Sequence, residues 1–168
     1  MSEDPMSTLR SMTLPSPIGT LTLVASDVGL RAMLFEIEHS GRHQFETVLS
    51  MTDPTLVVAR RQLEEYFAKE RTEFDLPLDP IGTEFQVMCW LALAQIPYGH
   101  TVSYGEQAAM VGRPTAVRAV GGANGRNPLA IVLPCHRVIG ADGSLTGFGG
   151  GMDAKRFLLG LESDTLFP

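Results

Sequence analysis

The sequence predicts an α/β protein with two unlike halves, on three observations. Thr20-Leu21-Thr22-Leu23-Val24-Ala25 alternates polar and apolar residues, Ser26-Asp27-Val28-Gly29 offers a turn, and Leu30 to Phe35 follows; together these read as a β-hairpin. Beyond residue 82 the apolar residues adopt helical spacing, with Phe85, Met88, Cys89, Ala92 and Ile96 along one face. Between the two patterns lies Leu76-Pro77-Leu78-Asp79-Pro80-Ile81-Gly82, the stretch whose composition best suits a linker. The expected units are therefore residues 1–80 and 81–168, with the polar residues 1–12 mobile.

The elements follow in chain order. Thr55 to Lys69 carries apolar Val58, Leu63, Tyr66 and Phe67 against a charged opposite side, and reads as a helix. Thr83 is placed to cap a helix reaching about Gln95, which Pro97-Tyr98-Gly99 ends. Cys89 lies on that helix's apolar stripe and is expected to pack as a small hydrophobe. Ser103-Tyr104-Gly105-Glu106 fits a capping box opening a short helix to about Val111. Gly112-Arg113 then turns, and Pro114 suits the first position of a helix running to about Gly122. Two short helices across a tight turn make a helix-turn-helix candidate, with Arg118 on the second helix and Arg113 and Arg126 flanking it. After a turn at Gly125 to Pro128, the apolar run Leu129 to Leu133 reads as a buried strand delivering the chain to Pro134-Cys135-His136-Arg137-Val138. Gly140 to Gly143 turns, a loop rich in glycine follows (Gly147, Gly149, Gly150, Gly151), and a last helix spans about Asp153 to Glu162.

Composition bounds the function. A chain of 168 residues, 44% hydrophobic and 19% charged, can fold as one ordinary domain or two small ones sharing a core. The longest apolar run, Val87 to Ala94, is far short of the roughly 18 residues of a membrane span. No apolar stretch follows Arg10, so a secretory signal is not expected. Two cysteines, Cys89 and Cys135, make neither a disulfide framework nor a zinc knuckle, and a reducing cytoplasm is the natural compartment. His39 and His43 are four apart but lack thiol partners; they read as surface histidines, and no metal is expected.

A net charge of -6 argues against nucleic acid at first sight. Its distribution reverses the argument. Residues 1–81 hold the whole acidic excess, whereas Thr101 to Arg137 carries Arg113, Arg118, Arg126 and Arg137 against Glu106 alone. So few cations imply modest, salt-sensitive affinity for a phosphate backbone.

The chemistry centres on Cys135. A cysteine reacts as thiolate and needs a neighbour to take its proton; His136 is adjacent. On an extended segment adjacent side chains point apart, so a bridging water is the expected link. The histidine in turn needs a group fixing its tautomer, for which Glu162, Asp142 and Asp153 are the candidate acids. The bland alternative is a buried structural thiol beside a satisfied histidine.

Pro134-Cys135-His136-Arg137-Val138 resembles the active-site signature of the O6-alkylguanine-DNA alkyltransferases, or methylated-DNA–protein-cysteine methyltransferases. Ser103-Tyr104-Gly105-Glu106, Arg118-Ala119-Val120-Gly121, Asn127-Pro128 and Gly147-Phe148-Gly149-Gly150-Gly151 through Lys155, Leu158-Leu159 and Glu162 follow in family order, covering nearly all of residues 80–162. Residues 1–80 resemble the family's N-terminal domain only loosely, chiefly at Pro17-Ile18-Gly19. The resemblance implies a ribonuclease-H-like α/β domain followed by a mainly helical, winged helix-turn-helix-like domain. It also implies DNA repair by direct reversal: Cys135 takes the alkyl group from O6 of guanine, or O4 of thymine, irreversibly and once per molecule.

Roles follow by position. Cys135 resembles the acceptor, His136 acts through a water as its base, and Glu162 orients His136. Asn127 resembles a hinge residue, and Tyr104 serves guanine N3. The Val138 carbonyl accepts from the exocyclic amine, while Phe148, Gly149 and Gly150 form the base pocket, with the Gly149 N–H toward O6. Arg118 resembles the finger that replaces an extruded base, with Ser103, Thr115, Ala116, Val117 and Arg126 along the DNA contact. The partner implied is double-stranded DNA containing O6-alkylguanine, met by a monomer with no cofactor and no membrane. Two positions depart from the family: Phe148 stands where many relatives have tyrosine, and Val117 where many have alanine. The competing readings are a non-catalytic binder of alkylated bases, a cysteine hydrolase, and a helix-turn-helix regulator.

Overall fold

The computed structural model describes residues 8–36 and 45–163; His39 and His43 lie outside the described residues. Four strands, β1 (Leu9–Leu14), β2 (Leu21–Ala25), β3 (Leu30–Leu34) and β4 (Thr47–Leu49), form one sheet in the order β3-β2-β1-β4. The β2–β3 pair is the expected hairpin, antiparallel from Thr22 opposite Leu34, with Ser26 N–H donating to Gly29 O at 2.9 Å across the turn. β1 runs antiparallel to β2, and β4 parallel to β1.

β1 corrects the expectation of a mobile segment through residue 12. Its alternation is short, but Met12 and Leu14 are buried, and Arg10 is tied down through Asp53 at 2.8 Å, Asp27 at 2.7 Å and the Ser26 carbonyl at 3.1 Å. With the Thr8 carbonyl at 3.0 Å as a fourth acceptor, this arginine orders a strand that hydrophobic patterning alone does not announce.

α1 (Pro54–Phe67) begins where Asp53 caps the Leu56 N–H at 3.0 Å and Pro54 takes the first turn, and it buries Leu56, Ala59, Leu63 and Tyr66 against the sheet. The stretch read as a linker is laid along the open side of β3. Leu30 N–H donates to Pro77 O and Asp79 N–H to Leu30 O, both at 2.8 Å, while Asp79 also receives Arg31 and Ser26. This close approach requires Gly29: a Cβ there would stand 2.6 Å from the Pro77 carbonyl. The linker thereby covers a sheet edge that would otherwise be open to pairing.

The remaining elements are α2 (Glu84–Leu93), β5 (Val102–Ser103), α3 (Tyr104–Met110), α4 (Val117–Gly125), a 3₁₀ turn (Cys135–Arg137), β6 (Val138–Ile139) and α5 (Met152–Ser163), with β5 and β6 pairing in parallel. Thr83 and Ser103 each close a full capping box. One core spans both sides of the linker, joining Leu23, Leu63 and Tyr66 to Trp90, Leu93, Ile96 and Leu158. A second, smaller core of Cys89, Ala108, Val120 and Ala123 lies between α2, α3 and α4.

Two boundaries differ from expectation. α4 starts at Val117 rather than Pro114, because Pro114 occupies the second position of a turn closed by Ala116 N–H donating to Arg113 O at 2.9 Å. The helix also runs on to Gly125 instead of stopping at Gly122. Leu129 to Leu133 is buried but is no strand: it is a coiled turn, with Leu133 N–H bonded to Leu129 O at 2.8 Å and Ile131 at φ 75°. A β-branched residue in the left-handed region costs about 1–3 kcal/mol and persists only when its surroundings impose it.

Candidate active site

What imposes it is Asn127. Its Nδ2 donates to Leu133 O at 2.8 Å and its Oδ1 accepts from Leu129 N–H at 2.9 Å, so one side chain clamps both ends of the strained turn. The chain leaves the clamp at Pro134 and enters the 3₁₀ turn. Here the extended segment expected at Cys135-His136 is corrected: on a three-residue turn successive side chains diverge by about 120°. Cys135 accordingly faces a cavity, while His136 and Arg137 turn inward to α5.

Of the three candidate acids, Glu162 meets His136, with Nε2 to Oε2 at 2.7 Å. Asp142 and Asp153 are exposed and engage Ser144 and Arg156. Glu162 also receives Arg137, from Nε to Oε1 at 2.8 Å and Nη2 to Oε2 at 3.0 Å, and the Tyr66 hydroxyl to Oε2 at 2.6 Å. Burial alone would raise the Glu162 pKa, but His136 and Arg137 outweigh it and hold the carboxyl at about 2. An ionised carboxylate only accepts, so the network assigns the proton of His136 to Nε2 and leaves Nδ1 a lone pair, which is buried with no protein partner. Burial also lowers the His136 pKa, against the pull of Glu162, and favours the neutral ring.

The Cys135 thiol is pushed up by burial, opposed by Asn127 and by the charge of Lys155. The resting site therefore holds a protonated thiol beside a neutral imidazole, and proton removal has to accompany reaction. Lys155 is itself fully buried and donates to Val138 O at 2.8 Å and Thr146 O at 3.1 Å, pinning the pocket loop to β6.

The cavity at Cys135 has a volume of about 530 Å³, with Tyr104, Val117, Arg118, Phe148 and Gly149 in its wall. That is ample for a flat heterocycle carrying an alkyl group, and α4 lines one wall through Val117, Arg118 and Gly121. The Tyr104 and Thr146 hydroxyls share a hydrogen bond in the cavity wall, and burial raises the phenol's pKa, so it stays protonated. The structure thus brings Cys135, Tyr104, Arg118, Val117, Phe148 and Gly149 to one cavity, with His136, Glu162 and Asn127 behind the thiol.

Other expected site residues stand elsewhere. Val138 presents only a carbonyl, already engaged by Lys155, and Gly150 packs on Phe35 rather than into the cavity: a Cβ there would stand 2.7 Å from that ring. Thr115 is exposed and Ala116 half-buried in the turn before α4; Arg126 is exposed at its end; and the Ser103 side chain is spent capping α3. Arg137 does not belong to the basic surface, since it is buried against Glu162. Residues the sequence did not single out are Tyr66, Phe35, Thr146 and the buried pair Gln107–Asn124; the first two come from the half that carries no motif.

Two family models match the chain. Residues 9–80 match the 6-O-methylguanine DNA methyltransferase, ribonuclease-like domain, and residues 84–164 match the 6-O-methylguanine DNA methyltransferase, DNA binding domain. The chain belongs to this family. The methylated-DNA–protein-cysteine methyltransferase of Methanosarcina acetivorans is 50% identical over 149 residues, 88% of this chain and 94% of that one. Its counterpart from Mycolicibacterium paratuberculosis is 52% identical over 153 residues, 89% of this chain and 90% of that one. The crystal structure of Mycobacterium tuberculosis OGT in complex with DNA superposes with a TM-score of 0.82 at 49% identity, over 94% of this chain and 93% of the other. The family's fold, a ribonuclease-like domain with a sheet and a helical DNA-binding domain, is the fold described above.

Proposed function

We propose that the protein repairs DNA by direct reversal, transferring the alkyl group from O6 of guanine to Cys135 once per molecule. The observation that carries the reading is a cysteine lining a cavity large enough to admit an alkylated base, with a neighbouring histidine whose buried Nδ1 has no protein partner. His136 Nδ1 takes the thiol proton through a water, and Glu162 stabilises the imidazolium that forms. Sulfur attacks the alkyl carbon as the C–O6 bond breaks; the leaving guanine takes a proton at N3 from Tyr104, and the Gly149 N–H steadies charge at O6. The product is a thioether, which no group in the site can cleave.

An alkyl group on O6 lies within the base stack, so the nucleotide has to be extruded at a cost of a few kcal/mol. Arg118, at the cavity mouth on α4, is placed to fill the gap, with Thr115, Ala116, Val117, Ser103 and Arg126 along the duplex. The partner is double-stranded DNA containing the lesion, and residues 1–80 and 81–168 act as the two domains. Among the described residues no helix is long and apolar enough to cross a membrane. Two free buried cysteines suit a reducing cytoplasm.

A methyl-labelled O6-methylguanine duplex tests the reading. The Cys135→Ala variant should take up no label yet bind DNA, and Cys89→Ala should take up a full equivalent. Label on the Cys135→Ala variant would overturn it.

A further inference from the structure

Three donors converge on Glu162 Oε2: His136 Nε2 at 2.7 Å, Arg137 Nη2 at 3.0 Å and the Tyr66 hydroxyl at 2.6 Å. His136 and Arg137 follow Cys135 directly in the chain. Tyr66 lies 96 residues before Glu162, on the last turn of α1, in the half without a motif. Its ring is fully buried and set by contacts with Phe67, Phe74 and Tyr98 at centroid distances of 5.4, 5.5 and 6.3 Å. The hydroxyl is therefore delivered to the carboxylate by a rigid aromatic cluster, and because the carboxylate only accepts, the phenol must donate.

Every titratable or charged group near His136 bears on how tightly it holds a proton. Glu162 on α5 favours the imidazolium; Arg137 on the 3₁₀ turn and Lys155 on α5 oppose it. Cys135 is the proton source, and Tyr66 on α1 and Tyr98 after α2 face Glu162. Burial lowers the His136 pKa most, and Glu162 is the one charged group in this set that raises it, so a group that drains the Glu162 charge makes His136 less basic. A charge-assisted O–H···O⁻ bond of 2.6 Å is among the strongest ways to do so.

We propose that Tyr66 is a positioning residue for the transfer reaction: its hydroxyl aligns Glu162 Oε2 with His136 and tempers the carboxylate, keeping His136 neutral until Cys135 yields its proton. The inference rests on the reading of His136 as base and Glu162 as its orienting acid. It gives the N-terminal half an indirect part in the chemistry, delivered through α1 and Glu162.

The test is the single-turnover rate on an O6-methylguanine duplex against pH, from about 5 to about 9, for the wild type, Tyr66→Phe, Glu162→Gln and the double variant. Tyr66→Phe removes one oxygen and leaves the ring contacts. Without that hydroxyl Glu162 attracts the imidazolium more strongly, the His136 pKa rises, and the acid limb should move to higher pH by about half to one unit. The shift should vanish in the Glu162→Gln background, where no carboxylate remains to be tempered. An acid limb that stays in place, whatever happens to the plateau rate or the melting temperature, overturns the proposal. Should Glu162→Gln itself leave the profile unchanged, the reading of Glu162 falls and this inference with it; an altered Glu162→Gln profile beside an unmoved Tyr66→Phe limb sinks the inference alone. The wild type gives an independent check through ring-nitrogen NMR of His136: a neutral ring protonated at Nε2 near neutral pH supports the proposal, and a proton on Nδ1 contradicts it.

Discussion

At the scale of single residues the site depends on buried polar groups that are almost all matched. Asn127 is the sharpest case, since its two hydrogen bonds hold a turn containing Ile131 at φ 75°. Replacing Asn127 with Ala strands the Leu129 N–H and the Leu133 carbonyl, a cost that relief of the strained turn offsets only in part, so we expect a net loss of about 2–4 kcal/mol in urea unfolding and slower alkyl transfer. An unchanged midpoint would contradict the clamp. Acid should also destabilise the fold. The His136 pKa lies below its ordinary 6.5, so its contribution is complete above that value and is lost as pH falls below it. Glu162, held at about 2 against an ordinary 4.5, adds a loss that begins near 4.5. Both signs agree: urea midpoints should decline from about pH 6.5 downward, and a flat profile to about pH 4 would refute the assignment. Cys135 and His136 were legible in the sequence because reactive residue types stand out in a short motif, whereas spacing left Glu162, Asp142 and Asp153 equal and only the family resemblance favoured Glu162. Tyr66 was not legible, because an aromatic on an amphipathic helix looks like any core residue and nothing local marks its hydroxyl.

At the scale of elements the capping boxes at Thr83 and Ser103 were readable because the signal lies within four residues. The start of α4 and the turn at Leu129 to Leu133 were not readable: proline fits a helix start and a turn equally, and an apolar run carries no sign of the distant side chain that bends it. α4 is fixed from below by Trp90 Nε1, donating to Ala123 O at 2.7 Å. The reciprocal amide pair Gln107–Asn124, at 3.0 and 2.6 Å, completes the support. Removing Gln107 leaves the Asn124 amide without its partner, whereas removing Asn124 still leaves Gln107 Nε2 its bond to Cys89 O at 3.2 Å. Gln107→Leu alone should therefore cost about 1–3 kcal/mol, and Gln107→Leu with Asn124→Leu clearly less than the sum of the single losses. Strict additivity in denaturant would show that the pair does not act as a unit. Arg118 tests what α4 presents. Arg118→Ala should slow repair of duplex DNA by at least about tenfold more than transfer from the free base, because only the duplex requires extrusion. Equal losses on both substrates would remove that role.

At the scale of the whole molecule the two halves share one core, and the half without motifs supports the site twice, through Tyr66 on Glu162 and through Phe35 beneath Phe148 and Gly150. The division into an acidic first half and a weakly basic contact segment was visible in the sequence; which arginines face outward was not, and the burial of Arg137 leaves Arg113, Arg118 and Arg126 exposed there. Three exposed cations would release few counterions, so log binding constant against log salt should fall with a slope of about −3 or shallower. A slope steeper than about −6 would mean a contact surface this fold does not present. The central claim is that Cys135 is a single-use acceptor, and the intact mass of the protein under excess O6-methylguanine duplex tests it most directly. The mass should rise by one methyl group per molecule and then stop, with the methyl group on the peptide bearing Cys135. Continued conversion of DNA by an unmodified protein, or a methyl group on Cys89, would contradict it.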